Sequence, residues 1–362
     1  MSIESRISAF AEAAAEIAAH ALIVPGKSLR WLIIANPKAG GFAIAARWKR
    51  HAEGLSKSLE KARRNPRRDA GPTPFAGDRG VILTREAGHA GRAAENLLKS
   101  LAETAGEPPF HLIITAGGDG TSREVLNALY AAPPPARACC AVLRLPLGTG
   151  NDGADAWEID KALDLLIRAS KIKLSGAVRL TTATGKGPFY AFNVLSIGLD
   201  AFVTHMTNKM KGRLPGDSYK LWVDIAALLY DKLYRVGPIS VKAFDDEENP
   251  VKFFREPLLL LAMGVSGYRT YGSHKRILPD ERNICALKQM PLLRKLALKG
   301  LFSTGTHTDK PEAVLFNAHR IEVRGEYPIL AQMDGETLRL QPEDFPAVIE
   351  LAEPLIPILK TD

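Results

Sequence analysis

Short apolar runs alternate with amphipathic stretches through the first half of the chain. Residues 31–35, 81–84, 110–115 and 139–145 have the length and branched content of buried strands. Between and after them, helical spacing of apolar positions predicts helices over 43–64, 89–103, 122–131 and 159–169, with Ala93, Leu97, Leu98 and Leu101 on one face of the second. Residues 3–23 read as an Ala-rich amphipathic helix. Residues 65–80, rich in Pro, Gly and Arg, read as a loop, and Pro133-Pro134-Pro135 ends the 122–131 helix. Strands alternating with helices predict a mostly parallel sheet covered by helices.

The pattern changes after about residue 172. Segments 177–182, 189–195, 239–244, 257–265, 313–323 and 329–340 are strand-like, with turn residues between them. Two helical stretches interrupt them, one over 218–234 and a basic, amphipathic one over 292–299. A last pair, 347–351 with 355–359, is a candidate return to the first domain. The boundaries this predicts are an N-terminal helix over 1–28, an α/β domain over 29–172 with 342–362 as its candidate completion, and a β-rich domain over 173–341.

Three predicted strands run into polar, flexible turns. The first ends in Asn36-Pro37-Lys38-Ala39-Gly40-Gly41. Another ends in Gly117-Gly118-Asp119-Gly120-Thr121, directly before a helix, and a third in Gly148-Thr149-Gly150-Asn151-Asp152. An open α/β sheet places such turns along one edge, where ligands bind. A glycine turn before a helix presents main-chain N–H groups and the positive helix end to a phosphate. The glycines allow close approach and positive φ. Asp119 puts a carboxylate among phosphates, which calls for a divalent cation between them and so for a nucleotide–Mg²⁺ site. Thr121-Ser-Arg-Glu124 has the spacing of a capping box.

The ordered set of motifs resembles the diacylglycerol kinase catalytic family, which includes bacterial lipid kinases, sphingosine kinases and ceramide kinases. It comprises Asn36–Gly41, Ala87-Gly88-His89-Ala90, Gly117–Thr121 with Glu124-Val125-Leu126-Asn127, Pro146-Leu147 with Gly148–Asp152, Asn193 with Gly198-Leu199-Asp200-Ala201, and Asp334-Gly335-Glu336. Gly-Gly-Asp-Gly-Thr alone is shared with NAD kinases; the later motifs make the set specific.

The resemblance implies an α/β nucleotide-binding domain like those of NAD and diacylglycerol kinases, a β-sandwich-like second domain and a cleft between them. It implies ATP and Mg²⁺. Asn36, Lys38, Thr84, Gly117, Gly118, Asp119, Gly120, Thr121, Gly148, Thr149, Gly150, Asn151 and Asp152 are then the nucleotide contacts. Asp334-Gly335 between alternating segments is a hairpin signal in its own right. By resemblance, Asp334 or Glu336 is the general base, with Asp119 as the cation-organising or alternative proton-accepting carboxylate. His89 is read as a capping or packing residue. The chain departs from the family at Gly153 and Asp155, where an aromatic and a basic residue are usual, and at 277–287, where Asn283-Ile284 stands in place of Asp-Gly. No metal ligand is assigned there.

Of 362 residues, 46% are hydrophobic and 24% charged, the composition of a globular chain. No apolar run approaches about eighteen residues, so no spanning helix is predicted. The N-terminus does not read as a secretory signal. Three cysteines form neither a disulfide framework nor a zinc spacing, so a cytoplasmic location is expected. The net charge of +8 favours anionic partners. Much of it lies in Arg47, Lys49, Arg50, Lys57, Lys61, Arg63, Arg64, Arg67 and Arg68, read either as a solvated face or as a surface for anionic lipid. Nucleic acid is not expected, because no aromatic residues interleave with these charges.

The expected function is an ATP-dependent lipid kinase at the membrane surface, with diacylglycerol as acceptor. A sphingosine- or ceramide-type kinase, a soluble NAD kinase-like enzyme and a non-catalytic nucleotide-binding regulator are the alternatives.

Overall fold

A computed structural model describes residues 1–21, 23, 29–64, 73–75, 80–104, 106, 108–168, 171–210, 230–234, 236–271 and 275–360, without the side chains at 298 and 299. The chain divides into two compact units, Met1–Ser175 with Pro354–Asp362, and Gly176–Glu353. Most of the predicted 65–80 loop and 218–234 helix, with Arg67 and Arg68, lies outside the described residues.

The first unit begins with α1 (Ile3–Ala18), opened by Ser2, whose hydroxyl accepts the Ser5 N–H at 3.1 Å. Phe10, Ala14 and Ile17 are buried in the same core as Phe42 and Trp48. The N-terminal helix therefore belongs to the first unit rather than standing apart over 1–28. It ends at Ala18 because the chain tightens there, with His20 N–H bonded to Ile17 and Ala21 N–H to Ala18.

Then follow β1 (Leu29–Ala35), α2 (Gly40–Ala43), α3 (Ala45–Arg64), β2 (Thr73–Pro74), β3 (Val81–Leu83) and α4 (His89–Ala102). After these come β4 (Phe110–Gly117), α5 (Asp119–Ala131), α6 (Pro134–Ala138), β5 (Cys140–Pro146) and α7 (Ile159–Ile167). Strand β1 pairs in parallel with β3 and β4, and β4 with β5. Every residue of β4 and β5 is buried, as expected of strands covered on both faces. The proline triplet does more than end α5. Its second member starts α6, because a fixed φ suits the first helical position.

The second unit holds β6 (Lys171–Thr181, which crosses the unit boundary), β7 (Phe189–Ala191), β8 (Val194–Gly198), α8 (Leu199–Met210), α9 (Tyr230–Leu233), β9 (Pro238–Phe244) and β10 (Pro250–Gly264). Next are β11 (Arg269–Tyr271), β12 (Lys275–Leu278), β13 (Ile284–Lys288), α10 (Leu292–Thr304), β14 (Ala313–Phe316), β15 (Arg320–Gly325), β16 (Ile329–Met333), β17 (Glu336–Leu340) and β18 (Ala347–Lys360). Here the pairing is antiparallel. The first half of β10 pairs with β9, and beyond a register shift at Leu258/Leu260 the second half pairs with β8 and β13. A long strand that changes partners at an irregularity joins the two layers of a sandwich. Val178, Leu195, Ile197, Val241, Leu261, Met263, Ile321 and Val323 fill one core between the layers.

Strands β11, β12 and β13 add to the predicted pattern, and two further features depart from it. Residues 199–210, given no element by periodicity, form a helix. Residues 347–360 form one strand despite Pro354 and Pro357. The first part of β18 pairs with β15, from Val323↔Ala347 to Arg320↔Glu350, while Ile358 pairs in parallel with Val142 of β5. Residues 342–353 therefore lie in the second unit, and the first is completed from Pro354 onward.

Candidate active site

The strand register of the first unit brings the predicted corners to one sheet edge. Ala35 pairs with Leu83 and with Ala116, and Gly117 with Pro146. Thr84, Asn36, Gly118 and Gly148 each follow within one or two residues of those pairs. Lys38 is exposed on the first turn, and Gly120 opens the first turn of α5 beside Thr121.

Hydrogen bonds tie these turns together. Asn36 donates from Nδ2 to Thr121 Oγ1 at 3.2 Å and accepts the Lys38 N–H at 3.0 Å. Gly41 N–H bonds to Leu147 O at 2.8 Å. The Asp119 carboxylate accepts Asn151 N–H at 3.1 Å and Gly153 N–H at 3.0 Å. Asn151 has φ 61° and folds back on Gly148, accepting its N–H at 2.6 Å. The left-handed residue of this corner is thus the asparagine, not one of the predicted glycines. The glycines serve close approach instead. A Cβ on Gly148 would lie 2.4 Å from Gly118 Cα, and one on Gly117 would lie 2.5 Å from Thr121 Oγ1. At Gly120 an added Cβ meets no atom within 4 Å, so that residue faces open space.

Arg47, which the sequence places only on a basic face, donates to Thr149 Oγ1 at 3.3 Å. It is the first basic residue after the Gly40-Gly41 turn, and that position was its only signal. Beside it, burial first and then the Arg50 and Arg47 charges push His51 down to about 4, so this histidine is neutral near pH 7. Farther along α3, Lys61 pairs with Asp164 at 2.8 Å and Arg63 with Glu16 at 2.6 Å. Part of the basic face is therefore already partnered. Asp155, at the position where a basic residue was expected, pairs with Arg144 of β5 at 2.7 Å and also accepts its N–H at 2.7 Å. This closes the loop after Asp152.

Glu124 makes no capping box. Helix α5 starts at Asp119 without a side-chain cap, and the Glu124 carboxylate instead accepts Gly88 N–H at 2.7 Å and Ala90 N–H at 3.0 Å. It caps α4, whose own N-cap, Gly88, has no side chain to do so. His89 Nδ1 accepts the Arg85 N–H at 3.1 Å, a packing role as read.

Among the described residues no cluster of three or more His, Cys, Asp or Glu side chains is placed to hold a metal. Asp119 and Asp152 approach a common point. Their carboxylates lie 2.9 and 3.2 Å from the point a Cβ on Gly150 would occupy. In the altered 277–287 stretch, Asp280 is drawn into an ion pair with Arg282, which holds its carboxyl below the usual range. The Asn283 side chain locks β13 to Ala318, donating to its O at 2.8 Å.

Asp334 and Glu336 belong to the second unit, at the β16–β17 hairpin, where Met333 pairs with Glu336. Asp334 (φ 46°) and Gly335 (φ 96°) make the tight two-residue turn. The Asp334 carboxylate accepts three main-chain N–H groups, from Phe192, from Asn193 at 3.1 Å and from Val194 at 3.2 Å. Both polar groups of Gly335 are also held. Its N–H bonds to Gln332 Oε1 at 3.1 Å, and its O accepts from Asn208 Nδ2 at 2.8 Å. Glu336 is exposed.

Residues 30–182 match the diacylglycerol kinase catalytic domain family. A "Probable lipid kinase YegS-like" protein of Yersinia pestis (strain Pestoides F) is 28% identical over 66% of this chain and 77% of its own. Its counterpart in Yersinia pseudotuberculosis serotype O:1b (strain IP 31758) matches equally. Two solved structures from Bacillus anthracis str. Sterne share the fold. A candidate diacylglycerol kinase has TM-score 0.59 and 18% identity, covering 92% of this chain and 98% of its own. A diacylglycerol kinase has TM-score 0.53 and 15% identity, covering 92% and 97%. Beside the glycine-rich corner that residues 36–152 build, the chain thus carries over residues 30–182 a match to the diacylglycerol kinase catalytic domain and is similar to proteins named probable lipid kinases.

Proposed function

We propose that the chain transfers the γ-phosphoryl of ATP to a primary hydroxyl of diacylglycerol, giving phosphatidic acid and ADP. One observation carries this reading: Asp119 and Asn36 bind three glycine-rich turns into one corner, with the open Gly120 at the start of α5. The first amides of a helix lack intrahelical partners and suit a phosphate chain. Arg47 and Lys38 add positive charge beside it. Asp119 and Asp152 would hold Mg²⁺, which supplies neutralisation of the phosphate charge.

In the reaction the lipid oxygen bonds to the γ-phosphorus, the bond to the ADP oxygen breaks, and the hydroxyl proton passes to a carboxylate. Three N–H donors occupy Asp334, which suits it to frame the turn. Glu336 is exposed, and we assign it the proton. Asp334→Asn should then lower stability as well as kcat, while Glu336→Gln lowers kcat about 10²-fold with an unchanged melting temperature. Full activity in Glu336→Gln would move the base elsewhere.

Attachment to the bilayer is part of this proposal. On α10, Leu292, Leu293 and Leu296 are 46%, 80% and 45% exposed, whereas the Lys295 side chain is 4% exposed and pairs with Asp231 at 2.8 Å. A helix with leucines outward and a lysine inward fits an interfacial contact. The decisive experiment is labelled ATP with diacylglycerol, sphingosine and ceramide in mixed micelles, beside NAD. Labelled phosphatidic acid is expected. Label in NAD alone, in a sphingoid lipid alone, or in no acceptor would replace the reading with the corresponding alternative.

A further inference from the structure

Asp200 lies at the start of α8 and is buried. It accepts from Ser196 Oγ at 2.5 Å and from Gln332 Nε2 at 3.0 Å. Gln332 Nε2 also reaches Ser196 Oγ at 3.0 Å, and its Oε1 accepts the Gly335 N–H at 3.1 Å. A chain of hydrogen bonds thus runs from Asp200 through Gln332 to the middle residue of Asp334-Gly335-Glu336. The same helix supports the hairpin twice more, through Asn208 on Gly335 O and His205 Nδ1 against Thr337 Oγ1 at 3.4 Å.

A glutamine amide can sit either way round, with oxygen and nitrogen exchanged. Only one way presents an acceptor to the Gly335 N–H. An ionised carboxylate only accepts, so at Asp200 it draws the Gln332 NH₂ toward itself and leaves the oxygen for Gly335. The turned amide would place donor against donor at Gly335 and oxygen against oxygen at Asp200. Burying a carboxylate is costly, and burial pushes Asp200 up to about 6 against the opposing pull of Ser196, Lys275, Gln332 and Tyr271. At pH values above this the acceptor-only form dominates.

We propose that Asp200 is a positioning residue for phosphoryl transfer, fixing the orientation of the Gln332 amide and thereby the Gly335 peptide that sets Glu336. This rests on the lipid kinase reading, in which Glu336 accepts the proton.

The test exchanges the polarity of the pair. In Asp200→Asn, the new amide offers a donor as well as an acceptor to Gln332, so the turned amide is no longer opposed at position 200 and only the Gly335 N–H and the Val194 carbonyl, at 3.1 and 3.4 Å, still hold its orientation. Gln332→Glu puts two carboxylates together. The double variant, Asp200→Asn with Gln332→Glu, restores a defined polarity. Its amide at position 200 donates, and its carboxylate at position 332 accepts from that amide and from the Gly335 N–H. Both single variants should lose roughly ten- to hundredfold in kcat with KM for ATP unchanged, and the double variant should recover most of it. Amide hydrogen exchange of the 333–340 peptide, measured without substrate, should speed up in Asp200→Asn and slow again in the double variant. Wild-type kcat in folded Asp200→Asn, or exchange that does not change, would overturn the proposal. A wild-type chain that phosphorylates no lipid would instead overturn the lipid kinase reading, leaving the exchange result to decide the role of Asp200 in the turn.

Discussion

The Asp119 carboxylate accepts the main-chain N–H of Asn151 at 3.1 Å, across 32 residues of sequence, and so joins the turn after β4 to the turn after β5. The same carboxylate accepts Gly153 N–H. Asp119→Asn keeps the shape but offers one acceptor and one donor to two N–H groups, so one of them faces a donor. Such a mismatch costs about 1–3 kcal/mol. KM for ATP is expected to rise roughly tenfold, and the melting temperature to fall by a few degrees. Unchanged ATP affinity would show that this clamp is not needed for nucleotide binding.

Gly148 and Gly120 should separate packing from ligand space. Gly148→Ala forces a Cβ to within 2.4 Å of Gly118 Cα, a main-chain atom, so the two turns must part. ATP binding should be lost and thermal stability reduced. Gly120→Ala meets no protein atom within 4 Å. It should leave the melting temperature unchanged and still raise KM for ATP, because the methyl enters the space assigned to phosphate. Wild-type KM in Gly120→Ala would put the phosphates elsewhere.

Glu124 supports α4 rather than its own helix. Glu124→Ala leaves the Gly88 and Ala90 amides without their acceptor and should cost about 1–3 kcal/mol. Denaturant midpoints should fall accordingly, with kcat at low temperature near wild type. A large loss of kcat without loss of stability would mean that Glu124 acts in the chemistry.

Asp200 should leave a signature in the pH dependence of stability. Its pKa rises from 3.8 to about 6 on folding, so between those values the native state binds more protons than the unfolded chain. Stability from this group is therefore highest below about 4 and falls as pH rises through about 6, by on the order of 3 kcal/mol. Asp200→Asn should remove that slope. Urea midpoints of wild type and variant at pH 4 and pH 7 give the difference directly; parallel curves would show that Asp200 is not buried as an acid.

Local chemistry wrote much of the first unit into the sequence. An apolar run, a glycine-rich turn and a helix are neighbours along the chain, so 31–41, 110–131 and 139–152 could be read as strand ends carrying polar turns. Asp334-Gly335 announced its hairpin in the same way, because positive φ at adjacent residues restricts the residue types. The alternation of strands with helices, and its change near residue 172, followed from periodicity alone.

What tertiary structure decided lies in contacts between distant segments. Glu124 and Thr121 have capping-box spacing, yet Glu124 serves α4, because packing brings a second helix start within reach of its carboxylate. Helix α8 escaped periodicity because Asp200 is a charged residue on its buried side, acceptable there because Ser196 and Gln332 donate to it. A sequence specifies which groups can donate and which can accept. Which donor meets which acceptor depends on how the chain folds back on itself, and in this protein that decides whether a carboxylate clamps a loop, as Asp119 does, caps a helix, as Glu124 does, or braces a hairpin turn, as Asp334 does.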